Sequence, residues 1–177
     1  MNKAAQAIIL QEIKEQYPSE RDFYERQLGL DEISWIRWKK EEIDLGKHAE
    51  EKMLRLFTDY ERMLVQKVAR NAEIVPDVQM NPVREYKLMK LHIARQWLQS
   101  GLGDIEWVTE HTQETERDED QSVTELLQVE LDYQYWSYKD RLEFRLRHQP
   151  KKELRWTKPE LIDWMDQKIE EHTTHPS

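Results

Sequence analysis

The stretch from Ser19 to Leu45 constrains the fold most, because it predicts two short helices joined at a glycine. Ser19 and Asp22 form an S-x-x-D pattern, in which side-chain oxygens satisfy free amides in the first turn of a helix. Gly29 can adopt a positive φ and end that helix, and Asp31 can cap the next one. The sequence therefore predicts a helix-turn-helix shape over residues 19–45.

The second helix of this stretch has one apolar face. Trp35 and Trp38 lie three residues apart, on the same face as Leu30, so we expect all three to be buried. The residues expected to point outward are Ser34, Arg37, Lys40, Ile33 and Ile36.

The segment GLDEISWIRWKKEE, residues 29–42, resembles the turn and second helix of Cro/repressor-type (Xre-like) helix-turn-helix domains. The resemblance extends over roughly residues 8–57, about a third of the chain. In that family the second helix enters the major groove with its N-terminal half over the bases. The resemblance implies that Ser34 and Arg37 contact DNA, and it places Glu41 where a glycine commonly ends the helix.

Composition and charge favour a soluble, mostly helical, cytoplasmic protein. Charged residues make up 36% of the 177 residues, there are 7 tryptophans, and the absence of cysteine agrees with a reducing compartment. No apolar run approaches membrane-spanning length. The net charge of −9 argues against a general nucleic-acid coat, although residues 101–120 alone hold eight acidic side chains and one basic one.

Residues 1–103 are interpreted as a helical domain. Apolar spacing predicts a first helix over Asn2 to Tyr17 and one long helix over Lys47 to Arg70. Pro76 and Pro82 then interrupt the chain before a helix over Val83 to Ser100, which is expected to form an antiparallel pair with the long helix.

Residues 104–121 are interpreted as an acidic linker between two domains, because acidic residues are frequent and apolar ones few. An alternative remains open within it. Ile105 and Trp107 alternate with polar residues and could add a strand to a following sheet.

Residues 122–177 are interpreted as a small α+β module, which makes the whole chain an α+β protein. Apolar residues alternate with polar ones from Leu127 to Tyr135 and again from Leu142 to Leu146, which favours two antiparallel strands over a helix. A helix remains the alternative, because several of the same residues also step by three or four. Thr157 and Glu160 form a capping box that predicts a terminal helix able to cover the sheet.

Signatures of enzymes and metal sites are scarce. There is no phosphate-binding glycine loop and no cysteine nucleophile, and the histidines are scattered or lie in the tail. The chain is therefore interpreted as a non-enzyme with no catalytic residues, cofactor or metal. One basic patch is a candidate nucleic-acid site or a partner of the acidic segment, and it comprises Arg145, Arg147, Lys151, Lys152 and Arg155.

These patterns together predict a bacterial-type transcription regulator that binds double-stranded DNA as a homodimer. The residues expected to contact DNA are Ser34, Arg37, Lys39 and Lys40. The alternative is a protein-interaction adaptor that has the helix-turn-helix shape but binds no DNA, with Ile33 and Ile36 as its contact residues.

Overall fold

The structure is a computed structural model that describes residues 1–111, 123–134, 137–146 and 155–174. It is an α+β fold, as predicted, with helices first, then a three-stranded antiparallel sheet, then one terminal helix. The elements are α1 Lys3–Gln16, α2 Glu20–Phe23, α3 Glu32–Lys39, α4 Lys47–Leu54, α5 Asp59–Asn71, α6 Pro76–Met80, α7 Pro82–Ser100, β1 Gly103–His111, β2 Val123–Asp132, β3 Lys139–Leu146 and α8 Lys158–Thr174.

The predicted turn between two helices is present. The Ser19 side chain accepts a hydrogen bond from the Asp22 amide at 3.1 Å, and α2 continues as a π-helical turn over Tyr24–Leu28. Gly29 ends this segment with a φ of 68°, and the Asp31 side chain caps α3. The local chemistry of the sequence therefore identified the caps at Ser19, Gly29 and Asp31, whereas the π-helical turn was not expected.

The single long helix predicted over residues 47–70 is wrong, because the chain forms two helices there, α4 and α5. The Thr58 side chain accepts from the Glu61 amide at 3.2 Å, while the Thr58 amide donates to the Glu61 carboxylate at 3.0 Å. This capping box begins a new helix at Asp59. The apolar spacing continues across the break because α4 and α5 both bury residues in the same core, Met53 from one and Leu64 from the other.

Aromatic pairs join the α5 region to α7, the pairing expected from the sequence. The ring of Phe57 lies edge-on to that of Tyr86 with centroids 6.0 Å apart, and Tyr60 meets Trp97 in the same way at 5.0 Å. Pro76, predicted only to interrupt the chain, also occupies the first turn of the short helix α6.

The strand interpretation of the C-terminal region is confirmed and the helical alternative is wrong. Strand β2 lies between β1 and β3, with Val129 opposite Ile105 on one side and Leu142 on the other. Residues 104–111, which the acidic-linker interpretation included, belong to β1, so Ile105 and Trp107 do contribute a third strand. The rest of that segment, residues 112–122, lies outside the described residues.

Helix α8 begins at the predicted capping box, where the Thr157 amide donates to the Glu160 carboxylate at 2.7 Å. Leu161 and Met165 are fully buried, and Trp164 meets Phe144 of β3 edge-on at 6.1 Å. The N-terminal helices and the sheet contribute to one cluster of buried residues, and α8 packs against that shared core. No helix in the described part of the chain is both long and apolar enough to cross a membrane.

Candidate functional site

Helix α3 is held from behind by aromatic rings. Trp35 and Trp38 are buried, at 1% and 5% exposure, and their rings stack with centroids 4.7 Å apart. Tyr24 stacks on Trp35 at 5.6 Å, and Phe23 meets it edge-on at 6.2 Å. The predicted burial of both indoles is therefore confirmed, and the rings fix the orientation of α3 against the preceding helix.

The opposite face of α3 is open to solvent, as expected from its periodicity. Ile33 is 71% exposed and Ile36 38% exposed, and Arg37 and Lys40 are exposed beside them. An isoleucine this exposed on a short helix leaves an apolar surface that the described part of the chain does not cover.

The four residues expected to contact DNA differ in their availability. Arg37 lies 3.6 Å from Glu42, a loose and half-exposed pair, and Lys40 has no acidic partner within the described residues. The Ser34 hydroxyl donates to Asp31 at 3.1 Å and remains at the surface. Arg37 and Lys40 are therefore the cations that α3 presents outward.

Lys39, by contrast, is engaged in an ion pair within the molecule. Its ammonium lies 2.7 Å from the Glu20 carboxylate, which also accepts from the indole Nε1 of Trp35 at 2.9 Å. Burial raises the pKa of Glu20, but the hydrogen bonds from Lys39 and Trp35 outweigh it and lower that pKa. An ionised Glu20 thus joins α2 to α3, so Lys39 has a structural role. Glu20 precedes Trp35 by 15 positions and Lys39 by 19, and no local sequence pattern indicates contacts over such separations.

The N-terminus of α3 is acidic. Asp31 accepts hydrogen bonds from the Ser34 amide and hydroxyl, which lower the pKa of its carboxyl group, and Glu32 follows it at the surface. The whole stretch 19–45 holds eight acidic and five basic side chains. Acidic side chains therefore outnumber the basic ones around Arg37 and Lys40, which makes this stretch complementary in charge to a basic surface.

Helix α3 ends in a Schellman motif built without glycine. The Glu41 amide donates to the Trp38 carbonyl and the Glu42 amide to the Arg37 carbonyl, each at 2.9 Å. Glu41 has a φ of 60°, the left-handed conformation that glycine adopts most readily. The turn thus forms with a residue other than glycine in a conformation that favours glycine, which strains the end of α3.

The second predicted surface, the basic patch, has two described residues, Arg145 and Arg155, and both form ion pairs within the molecule. The Arg145 guanidinium is 9% exposed and lies 3.2 Å from Glu12, 3.1 Å from Glu110 and 3.6 Å from Glu143. Burial opposes its charge, but these carboxylates raise the pKa of Arg145. Arg155 pairs with Glu125 at 2.9 Å.

For Arg145 the nucleic-acid alternative is therefore wrong, because its side chain is 9% exposed and paired with three carboxylates. The other alternative, contact with the acidic segment, is present, since Glu110 belongs to that segment. Arg147, Lys151 and Lys152 lie outside the described residues.

In comparisons with known proteins, no protein-family model, no curated protein and no solved structure matches the chain.

Proposed function

We propose that the chain binds double-stranded DNA through the outer face of α3 and acts as a transcription regulator. The observation that supports this most is the orientation of α3, which packs on Trp35 and Trp38 and keeps its other face in solvent. A helix held in this way after a tight turn has the shape that enters a major groove.

In this proposal some side chains of α3 contact the bases and others contact the phosphates. Ser34 and Arg37 contact base edges, while Ile33 and Ile36 meet thymine methyl groups. Lys40, near the end of the helix, contacts a phosphate. Asp31 and Glu32 repel the phosphate backbone of DNA. We therefore expect a weak affinity for DNA of arbitrary sequence and a strong dependence of the affinity on the base sequence. A homodimer would present two such helices to successive major grooves.

Selection from a library of random DNA duplexes tests the proposal. The wild-type chain is expected to enrich a common sequence, and the Arg37→Ala, Lys40→Ala double variant to enrich none. Lys67→Ala with Arg70→Ala is the matched control, because both residues are exposed on α5 and the charge change is identical. Enrichment that is unaffected by the α3 variant, or lost equally in the control, would argue against DNA reading by α3.

A second candidate function, docking of a protein partner, is favoured by the exposure of Ile33 at 71%. With Asp31 and Glu32 beside it, this apolar spot suits a partner that carries a shallow apolar pocket with basic residues around it. Ile33→Asp is expected to abolish partner recovery in a pull-down and leave folding intact. Ile74→Asp is the control, since Ile74 is 80% exposed in the turn that follows α5, outside the α3 surface. Recovery that survives Ile33→Asp would exclude this face.

A further inference from the structure

The two edges of the sheet differ in how they are covered. At the β3 edge, the Thr58 hydroxyl donates to the Arg141 carbonyl at 2.6 Å. The Glu143 amide at the same edge donates to the Glu61 carboxylate at 2.8 Å. The other edge is β1, a strand of nine residues. We propose that β1 binds an extended segment of a partner protein, in which basic residues alternate with apolar ones, as a fourth strand of the sheet.

The contacts of β3 determine which backbone groups of β1 point outward. Because the Glu143 amide faces α5, Glu143 and its β2 partner Gln128 do not exchange hydrogen bonds. The backbone of Gln128 therefore faces β1 and bonds to its partner there, Glu106. Since the direction alternates along a strand, the outward amides and carbonyls of β1 are those of the odd-numbered residues between Gly103 and His111.

Most of these outward groups are unpaired. The Gly103 carbonyl accepts from the Lys158 ammonium at 2.8 Å, in agreement with its outward direction. Within the described residues, no hydrogen bond reaches the outward amides and carbonyls of Ile105, Trp107 and Thr109. The pairing with β2 runs through all nine residues without a bulge, and β1 contains no proline or lysine. The edge therefore lacks these common barriers to strand addition, and this inference does not depend on DNA binding by α3.

Acidic side chains share one face of β1. Alternation places Asp104, Glu106 and Glu110 together on that face. Asp104 pairs with Lys158 at 2.9 Å, and Glu110 with Arg145 at 3.1 Å. Glu106 is exposed and has no cationic partner among the described residues. A lysine or arginine of an added strand would lie beside Glu106 at the distance of a cross-strand pair.

The opposite face of β1 favours apolar residues in the added strand. Ile105 and Trp107 on this face are partly exposed and pack against the shared core. The guanidinium of Arg155 lies 5.8 Å from the centroid of the Trp107 ring, so a basic side chain placed here would be repelled. The segment that fits both faces therefore alternates apolar residues with basic ones.

Charge argues against a second copy of β1 as the occupant. In an antiparallel pair of two β1 edges with its two-fold axis at Glu106, that residue opposes its own copy. An axis at Trp107 places Asp104 opposite Glu110, and an axis at Val108 places Glu106 opposite Glu110. Like charges directly opposite each other destabilise a sheet, whereas a basic strand meets attraction in every one of these registers.

Fluorescence anisotropy with the full chain tests the proposal, with a labelled hexapeptide of alternating lysine and valine as the probe. This peptide is expected to bind, and a peptide of alternating glutamate and valine is not. A lysine and valine peptide with methylated valine amides keeps its charge but lacks the donors that would face β1. It should bind at least about tenfold more weakly. Equal binding of the methylated peptide, or no binding of the unmethylated one, would overturn the proposal.

Proline substitutions in β1 test which backbone groups the peptide needs. Thr109→Pro removes an outward amide, so it should leave the chain folded and weaken the lysine and valine peptide about tenfold. Thr109→Val is the matched control, because it also loses the hydroxyl that donates to Glu125 at 3.0 Å but keeps the amide. Val108→Pro removes an amide bonded to β2 and should lower the melting temperature much more than Thr109→Pro does. Equal peptide affinity in the two Thr109 variants, or equal melting temperatures in the two proline variants, would contradict the proposed edge.

A charge reversal tests the acidic face without changing the backbone. Glu106→Lys should weaken the lysine and valine peptide about tenfold and allow the glutamate and valine peptide to bind. Glu73→Lys is the control, because Glu73 is exposed in the turn after α5 and the charge change is identical. Equal effects of the two reversals would overturn the proposal. So would a dimer of the wild type in sedimentation that Thr109→Pro abolishes, because a second copy would then occupy the edge.

Discussion

The ammonium of Lys90 on α7 lies 2.7 Å from the carboxylate of Glu61 on α5, and both side chains are almost fully buried. The same carboxylate accepts hydrogen bonds from the amides of Thr58, at 3.0 Å, and of Glu143 on β3, at 2.8 Å. One buried ion pair therefore joins two helices and the sheet.

Loss of Lys90 should be costly because Glu61 would be left as an uncompensated buried charge. Lys90→Met is expected to lower the free energy of unfolding by about 3–5 kcal/mol, measured by denaturant titration. Adding Glu61→Gln to this variant should restore part of the loss, since the double variant buries no lone charge. Lys87→Met, which removes a half-exposed ion pair with Glu15, should cost less than about 1 kcal/mol. Additive effects of the two changes at Lys90 and Glu61 would mean that they are not coupled.

The strained end of α3 offers a stabilising substitution. Glu41→Gly is expected to raise the free energy of unfolding by about 0.5–1 kcal/mol, because glycine adopts the φ of 60° at little cost. The neighbouring change Glu42→Gly removes the Arg37 pair and adds backbone freedom, so it should lower stability instead. Thermal unfolding of both variants checks the prediction. A loss of stability in Glu41→Gly would show that the turn is not strained.

The pairing of Glu130 with β3 should make stability depend on pH. The Glu130 carboxylate accepts from Lys139 at 3.1 Å and from Arg141 at 2.9 Å. Burial raises the pKa of Glu130, but these two hydrogen bonds outweigh it and lower the pKa below its ordinary value of 4.5. The stabilisation from the ionised form is therefore complete above that value and is lost as the pH falls through the lowered pKa.

Unfolding free energies of the wild type and Glu130→Gln, compared from pH 7 to pH 3, measure this contribution. The difference between them is expected to stay constant down to about pH 5 and to shrink below it. A difference of the same size at pH 3 would contradict the proposed pairing.

The parts of the fold that could be predicted rest on chemistry within a few residues. Gly29 and Asp31 identified the turn before α3, and Thr157 with Glu160 identified the start of α8. Alternation along β2 identified its strand character for the same reason, because the pattern depends only on neighbouring side chains.

The parts that could not be predicted depend on residues far apart in the chain. Arg145 alternates with apolar residues, a pattern typical of a solvated strand face, but α1 brings Glu12 against it from 133 positions away. Glu61 and Lys90 look like ordinary surface charges on amphipathic helices until α5, α7 and β3 meet around them. Thr58 and Glu61 match the capping-box pattern that begins α5, but the continuous apolar stripe across the break favoured a single long helix.

The salt dependence of binding to duplex DNA tests the proposed role of α3 most directly. If Lys40 neutralises one phosphate, the double alanine variant should reduce the slope of log affinity against log salt concentration by about one, and loss of the Arg37 contact with a base should weaken binding at every salt concentration. The Lys67 and Arg70 control should keep the wild-type slope. Equal slopes for all three proteins, or no retention of the wild type on DNA at low salt, would contradict DNA binding through α3.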